Sequence, residues 1–226
     1  MKSLSPFGRL LTALLTFIGL LIFFRMLYSG TRQYLFLEWN IFLAWIPYIL
    51  STQFRFYTGK AMWKQLFLFS SWLLFFPNAL YIVTDLVHLS GESNMPWWFD
   101  AMLVFSAAFV GLLMAFVSLR NAERYLSTLF KRNTVQVITF CLLFLGSFGV
   151  YLGRFERWNS WNIVNDPLGL GINILSCFIN PVENIRVWAI TILFTAVYSL
   201  LYYCLRILPK VFAENSGSPS RQKYRS

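Results

Sequence analysis

One histidine, three cysteines and nine acidic residues among 226 leave this chain short of the side chains on which most enzyme sites are built. A closed zinc site needs several nitrogen or sulfur ligands, so one subunit cannot supply a multi-histidine centre from His88 alone. Cys141, Cys177 and Cys204 give no disulfide framework and read as small apolar filler. No G-x-S-x-G elbow, internal repeat or heptad pattern occurs. Charge itself is scarce. Charged residues make up 12% of the chain and hydrophobic residues 58%, whereas a soluble domain is about a quarter charged. With a mean hydropathy of +0.58, the composition is that of a membrane protein.

What is abundant is long apolar runs. A spanning helix needs roughly 20 apolar residues to cross about 30 Å of hydrocarbon. Six stretches qualify, near 10–28, 34–54, 65–88, 99–119, 135–153 and 187–208. Alternating the gaps between them separates the charges. One side collects every lysine together with Arg9, Arg55, Arg120, Arg124, Arg132, Arg206, Arg221 and Arg225. The other side has Arg25, Arg32, Arg154, Arg157 and Arg186. Basic residues are retained in the cytoplasm during insertion, so the first side is cytoplasmic and both termini lie there. Residues 168–179 are apolar but too few to cross, and are expected to form a re-entrant or interfacial segment between the fifth and sixth spans.

The expected fold is therefore an all-α integral membrane protein with six transmembrane helices. Residues 1–212 form one membrane domain, and 213–226 a polar, Ser-rich, disordered cytoplasmic tail. Lys2 and Arg9 before an apolar run resemble a signal peptide, but no small-residue cleavage site follows, so an uncleaved first span is expected. The net charge of +10 does not point to nucleic acid, because the basic residues are scattered over separate loops rather than gathered on one face. The bilayer is the expected partner, with anionic lipids contacting the cytoplasmic side. A homo-oligomer or a partner membrane protein is a further expectation.

Seven of the nine carboxylates fall on the outer side: Glu38, Asp85, Glu92, Asp100, Glu156, Asp166 and Glu183. Acidic residues contribute little to the insertion bias, so this asymmetry is separate from the lysine pattern. In the third span, Asn78, Tyr81, Asp85 and His88 are spaced to share one helix face. A polar stripe descending from the outer rim into hydrocarbon should face other helices or a water-filled cavity. Pro47 and Pro77 sit at similar depth, about 12–14 Å inward from Glu38 and Asp85. Each removes a helix hydrogen bond, and interrupted helices near the midplane often border binding sites. Glu38 and Asn40 open the second span, and Arg25 is expected to extend its head toward the outer interface.

Beyond the fifth span come Arg154, Glu156 and Arg157, then Trp158, Asn159, Trp161 and Asn162. These read either as an Arg–carboxylate network holding the loop to Asp85 or Glu38, or as a clamp for a headgroup or phosphate. Asp85 and His88, with Glu92 one turn further, have the spacing of a mixed carboxylate–imidazole site. Such a site suits a divalent cation such as magnesium, calcium or manganese better than zinc. His88 beside Asp85 also has the form of an oriented general base. Thr84, Ser90, Ser93 and Ser160 are the nearby hydroxyls, none in a nucleophile motif.

The segments Phe76-Pro-Asn-Ala-Leu-Tyr-Ile-Val-Thr-Asp85 and Tyr151-Leu-Gly-Arg-Phe-Glu-Arg-Trp-Asn-Ser-Trp161, with the shorter Leu43-Ala-Trp-Ile-Pro47, resemble a family of bacterial multi-pass membrane proteins known as domain of unknown function 1361. The resemblance runs from about Glu38 to the last span. It implies a bacterial cytoplasmic membrane and transfers no catalytic role to any residue. The expected function is that of a binding or accessory protein with an outward-facing polar site for a lipid headgroup, an ion or a partner. A small transporter, or a membrane-embedded enzyme using Asp85, His88 and Glu156, are the alternatives.

Overall fold

The computed structural model describes residues 5–90 and 95–216, and they are helical nearly throughout. The elements are α1 (Pro6–Ser29), α2 (Phe36–Tyr57), α3 (Met62–Tyr81), a 3₁₀ helix (Ile82–Ser90), α4 (Trp97–Leu126), α5 (Arg132–Arg154), α6 (Asn162–Asn165), α7 (Pro167–Ile179) and α8 (Ile185–Ser216). Their ends follow local chemistry. Ser5 Oγ accepts from the Gly8 N–H and Pro6 opens α1, while Gly30 closes it in the left-handed region at φ 65°. Asp166 caps α7 by accepting from the Gly169 N–H at 2.9 Å, with Pro167 in the first turn.

Among the described residues, five helices are long and apolar enough to cross a membrane: Pro6–Ser29, Met62–Leu89 (α3 with its 3₁₀ extension), Trp97–Leu126, Arg132–Arg154 and Ile185–Glu214. They coincide with five of the six stretches expected from sequence. The sixth, α2, has 22 residues but includes Glu38, Asn40 and Pro47, and it is not among the five. Helix α7 has 13 residues and is apolar. At 1.5 Å per residue it rises only about 20 Å, short of a crossing. Helix α8 continues past residue 208 to Ser216.

Helix α4 is the hub, with α1, α2, α3 and the 3₁₀ helix packed on it, while α5 joins α3 to α8. The core is apolar and aromatic. Tyr125, Phe54, Trp72 and Phe76 form successive ring contacts at 5.2, 5.9 and 4.9 Å. The outward faces are apolar too: Phe17, Leu20, Phe23, Leu66, Phe67, Val137, Phe140, Ile192 and Leu200 are all exposed. An apolar surface on this scale is unfavourable in water and natural in lipid. The chain is a multi-pass helical membrane protein.

One contact fixes the placement of the residues around Asp85. Gly146, Gly149 and Gly153 recur at three and four residues along α5, on one face. Small residues let helix backbones approach closely in lipid. A Cβ on Gly149 would stand 2.6 Å from Pro77 Cγ, and one on Gly146 would stand 2.9 Å from Phe76 and Leu80. The proline rim of α3 therefore nests in the glycine face of α5, and that nesting brings the last residue of α5, Arg154, beside the end of α3.

Two expectations change here. Helices α2 and α3 run on through Pro47 and Pro77 without interruption. And the span Met62–Leu89 is not α-helical to its end. It tightens into a 3₁₀ helix at Ile82, where Ile82, Val83 and Thr84 are β-branched and cost α-helix propensity. The Thr84 hydroxyl donates to the Tyr81 carbonyl at 2.6 Å, a local bond that favours the tighter turn. Runs of 3₁₀ helix beyond three or four residues are uncommon, and this one has nine.

Candidate functional site

At the junction of α3 and the 3₁₀ helix, Asp85 is fully buried. Three elements converge on it. From α2, Asn40 donates through Nδ2 to Asp85 Oδ2 at 2.7 Å. From the end of α5, Arg154 Nη1 lies 3.3 Å from Asp85 Oδ1 and donates to the Tyr81 hydroxyl at 3.0 Å. Arg154 Nη2 donates to the Thr84 carbonyl at 3.1 Å and meets His88 Nε2 at 3.0 Å. A guanidinium has no acceptor, so His88 Nε2 accepts, and the neutral ring has its proton on Nδ1. The cation also sits at the C-terminus of α5, where the helix dipole favours positive charge. Because residues three apart eclipse in a 3₁₀ helix, Asp85 and His88 line up for one guanidinium to reach both.

The sequence-derived residues thus divide. Asn40, Tyr81, Asp85, His88 and Arg154 come together. Asn78 lies deeper: its Nδ2 donates to the Phe75 carbonyl at 3.2 Å and to Ser160 Oγ at 2.9 Å. Ser160 in turn donates to the Leu74 carbonyl at 3.0 Å. Both carbonyls lie in the turn before Pro77, so Asn78 and Ser160 fasten the segment after α5 to α3 beside that proline. Glu38 is exposed. It is two residues from Asn40, hence on the opposite side of α2. Glu156 accepts from the Tyr151 hydroxyl at 3.1 Å, and Arg157 is exposed with φ 59°. Arg154 and Glu156 therefore turn to different partners instead of sharing one network. The Asn162 side chain accepts from the Asn159 N–H at 2.7 Å, which ties the turn entering α6.

For a divalent cation, the lone pairs on Asp85 Oδ1 and His88 Nε2 are the natural donors, and both face Arg154. Glu92, the third member of the expected set, and Ser93 lie outside the described residues. Among the described residues no three of His, Cys, Asp and Glu gather closely enough to hold a metal.

A neighbouring pair was not legible in the sequence. Arg25 is 1% exposed and Asp100 3%. The guanidinium grips the carboxylate with Nε–Oδ1 at 2.7 Å and Nη2–Oδ2 at 3.1 Å, and donates to Thr31 and Gln33 at 3.0 and 3.2 Å. Arg25 accordingly turns into the bundle instead of reaching for the interface, because a buried carboxylate in the first turn of α4 offers a better partner than headgroups. Tyr34 joins the two clusters. Its ring lies 4.3 Å under the Arg25 guanidinium, and its hydroxyl donates to the His88 carbonyl at 3.2 Å. Burial pushes the Tyr34 hydroxyl above the ordinary tyrosine range, with Asp100 adding to the effect, so it remains a donor. Opposite charges at the adjoining ends of α1 and α4 were the available signal for the Arg25–Asp100 pair.

Comparisons with curated proteins and with solved structures yield no match. The buried Asp85–Arg154 brace falls within a stretch, residues 39–201, that matches the model of the family described as Protein of unknown function (DUF1361), and the chain belongs to that family.

Proposed function

We propose that this is a binding or accessory protein of a bacterial cytoplasmic membrane, with six spans, both termini cytoplasmic and its polar working surface outward. Counting α2 as a span is supported by its 22 residues, which rise about 33 Å, and by its packing along α3 and α4. With α2 crossing, Arg55, Lys60 and Lys64 share a side with Arg120, Arg124, Lys131, Arg132 and Lys210, as the insertion rule favours.

The observation behind the assigned role is that Asp85 has no exposed surface and both its oxygens are taken by the protein's own donors. The nearby hydroxyls of Thr84 and Ser160 donate to backbone carbonyls, which favours a brace over a nucleophilic site. Beneath Asn78 the interior is filled by Trp72, Phe76 and Met114, all fully buried, which favours a sealed bundle over a transport path. The brace holds a mixed-charge outer surface of His88, Glu156, Arg157 and Asn159, all exposed. That surface would contact the polar groups of a neighbouring membrane component, a lipid headgroup or a partner protein.

Two measurements test the reading. In a chain whose three cysteines are replaced by alanine, N159C should react with an impermeant maleimide in intact spheroplasts. Reaction only after permeabilisation would overturn the orientation. Proteoliposomes containing the protein should pass protons, sodium or potassium no faster than empty liposomes. A flux that D85N abolishes would replace this reading with transport.

A further inference from the structure

The opposite end of the bundle has a charged arrangement that the outer site does not use. A cavity of about 430 Å³ opens where the end of α4, the start of α5 and α8 meet, with Arg120, Arg124, Arg132 and Arg206 in its lining. One carboxylate, Glu123, also lines it and is 4% exposed. Arg120 reaches Glu123 Oε2 at 2.6 Å, Arg206 reaches Oε1 at 2.8 Å, and the Tyr202 hydroxyl donates to Oε2 at 2.6 Å. Glu123 therefore holds two of the guanidinium groups in place and offsets one positive charge of four. Arg124 and Arg132 make no ion pair with a carboxylate among the described residues.

The backbone adds to this excess. Helix α5 begins at Arg132, and its first turn has neither an acidic residue nor a side-chain cap. Its leading N–H groups and the positive end of its dipole thus stay uncompensated by the protein itself. That first turn lines the cavity through Arg132, Val135 and Gln136. An uncapped helix N-terminus beside three uncompensated guanidinium charges favours a multiply charged oxyanion, and the guanidinium fork matches phosphate oxygens two at a time.

We infer that this corner binds a phosphate-bearing anion of the phosphomonoester class. The same terminal phosphoryl group is presented by the headgroup of phosphatidic acid and by free phosphate. The inference rests on the cavity alone and does not depend on the role proposed for the outer surface.

The test uses the full-length purified protein and two probes, phosphatidic acid and inorganic phosphate. Native mass spectrometry should show a phosphatidic acid adduct that survives activation stripping phosphatidylcholine. R124Q/R132Q should lower that adduct about tenfold or more, since charge-assisted hydrogen bonds are lost. R9Q/K60Q, which removes the same charge from exposed positions elsewhere on this end, should leave it unchanged. Thermal melting checks that the variants fold, and R132Q alone is read the same way if the double variant melts early. Calorimetric binding of inorganic phosphate that is lost in R124Q/R132Q, with phosphatidic acid held no better than phosphatidylcholine, assigns the ligand to the aqueous phase and keeps the phosphate site. Equal binding by R124Q/R132Q and wild type, equal loss in R9Q/K60Q, or no binding of either probe to wild type overturns the inference.

Discussion

R25M should lower the free energy of unfolding by about 3–5 kcal/mol, read from an SDS titration of helicity in mixed micelles. The magnitude follows from what remains. Asp100 is 3% exposed and receives two guanidinium bonds. Without Arg25 it is a carboxylate stranded among helices, with neither water nor a counter-charge. Packing is lost as well, because the guanidinium covers the Tyr34 ring. The effect belongs to the unpaired charge more than to the bond, so removing both charges should be far milder. R25M/D100L is expected to recover most of the loss, as buried ion pairs replaced by apolar groups of similar size commonly do. A double-mutant cycle isolates the coupling. An R25M protein as stable as wild type would show that the two side chains do not meet in the membrane.

R154M should produce a loss of similar size, again about 3–5 kcal/mol in the same titration, with a further consequence at the surface. Arg154 is the only cation within reach of Asp85 among the described residues, and it also holds Tyr81, the Thr84 carbonyl and His88. Its removal leaves Asp85 with Asn40 alone. The 3₁₀ helix then loses its tether to α5, so amides of residues 82–89 should exchange hydrogen faster, whereas α4 should be unaffected. R154M/D85N should restore most of the stability by removing the stranded charge, yet exchange in the 3₁₀ helix should stay fast, since its carbonyl and imidazole anchors are still missing. Unchanged exchange in R154M would argue against the tether.

The parts of this arrangement that the sequence made readable are those that depend on neighbours along the chain. Apolar run length located five spans, because the bilayer imposes it on each helix separately. The three- and four-residue spacing of Asn78, Tyr81, Asp85 and His88 marked a polar face. It could not reveal the change of helix type at Ile82, since a three-residue step keeps two side chains on one side in either helix. Arg25 and Asp100 are 75 positions apart, and Glu123 and Tyr202 are 79 apart. Nothing local ties such partners together; only the packing of α1 and α8 onto α4 does. Helix α2 is ambiguous for a related reason. The residues that lower its hydropathy include Asn40, whose side chain serves another helix.

The hydroxyl of Ser160 has a consequence for the segment that bears it. By donating to the Leu74 carbonyl and receiving from Asn78, it fastens the segment after α5 to the turn of α3 before Pro77. A nick or deletion in the stretch 155–160 would release that fastening and strip the Asn78 side chain of its Ser160 partner. Extramembrane connections usually tolerate cutting and insertion, but this one behaves as a stopper seated in the helix wall, and an epitope inserted there would unseat it.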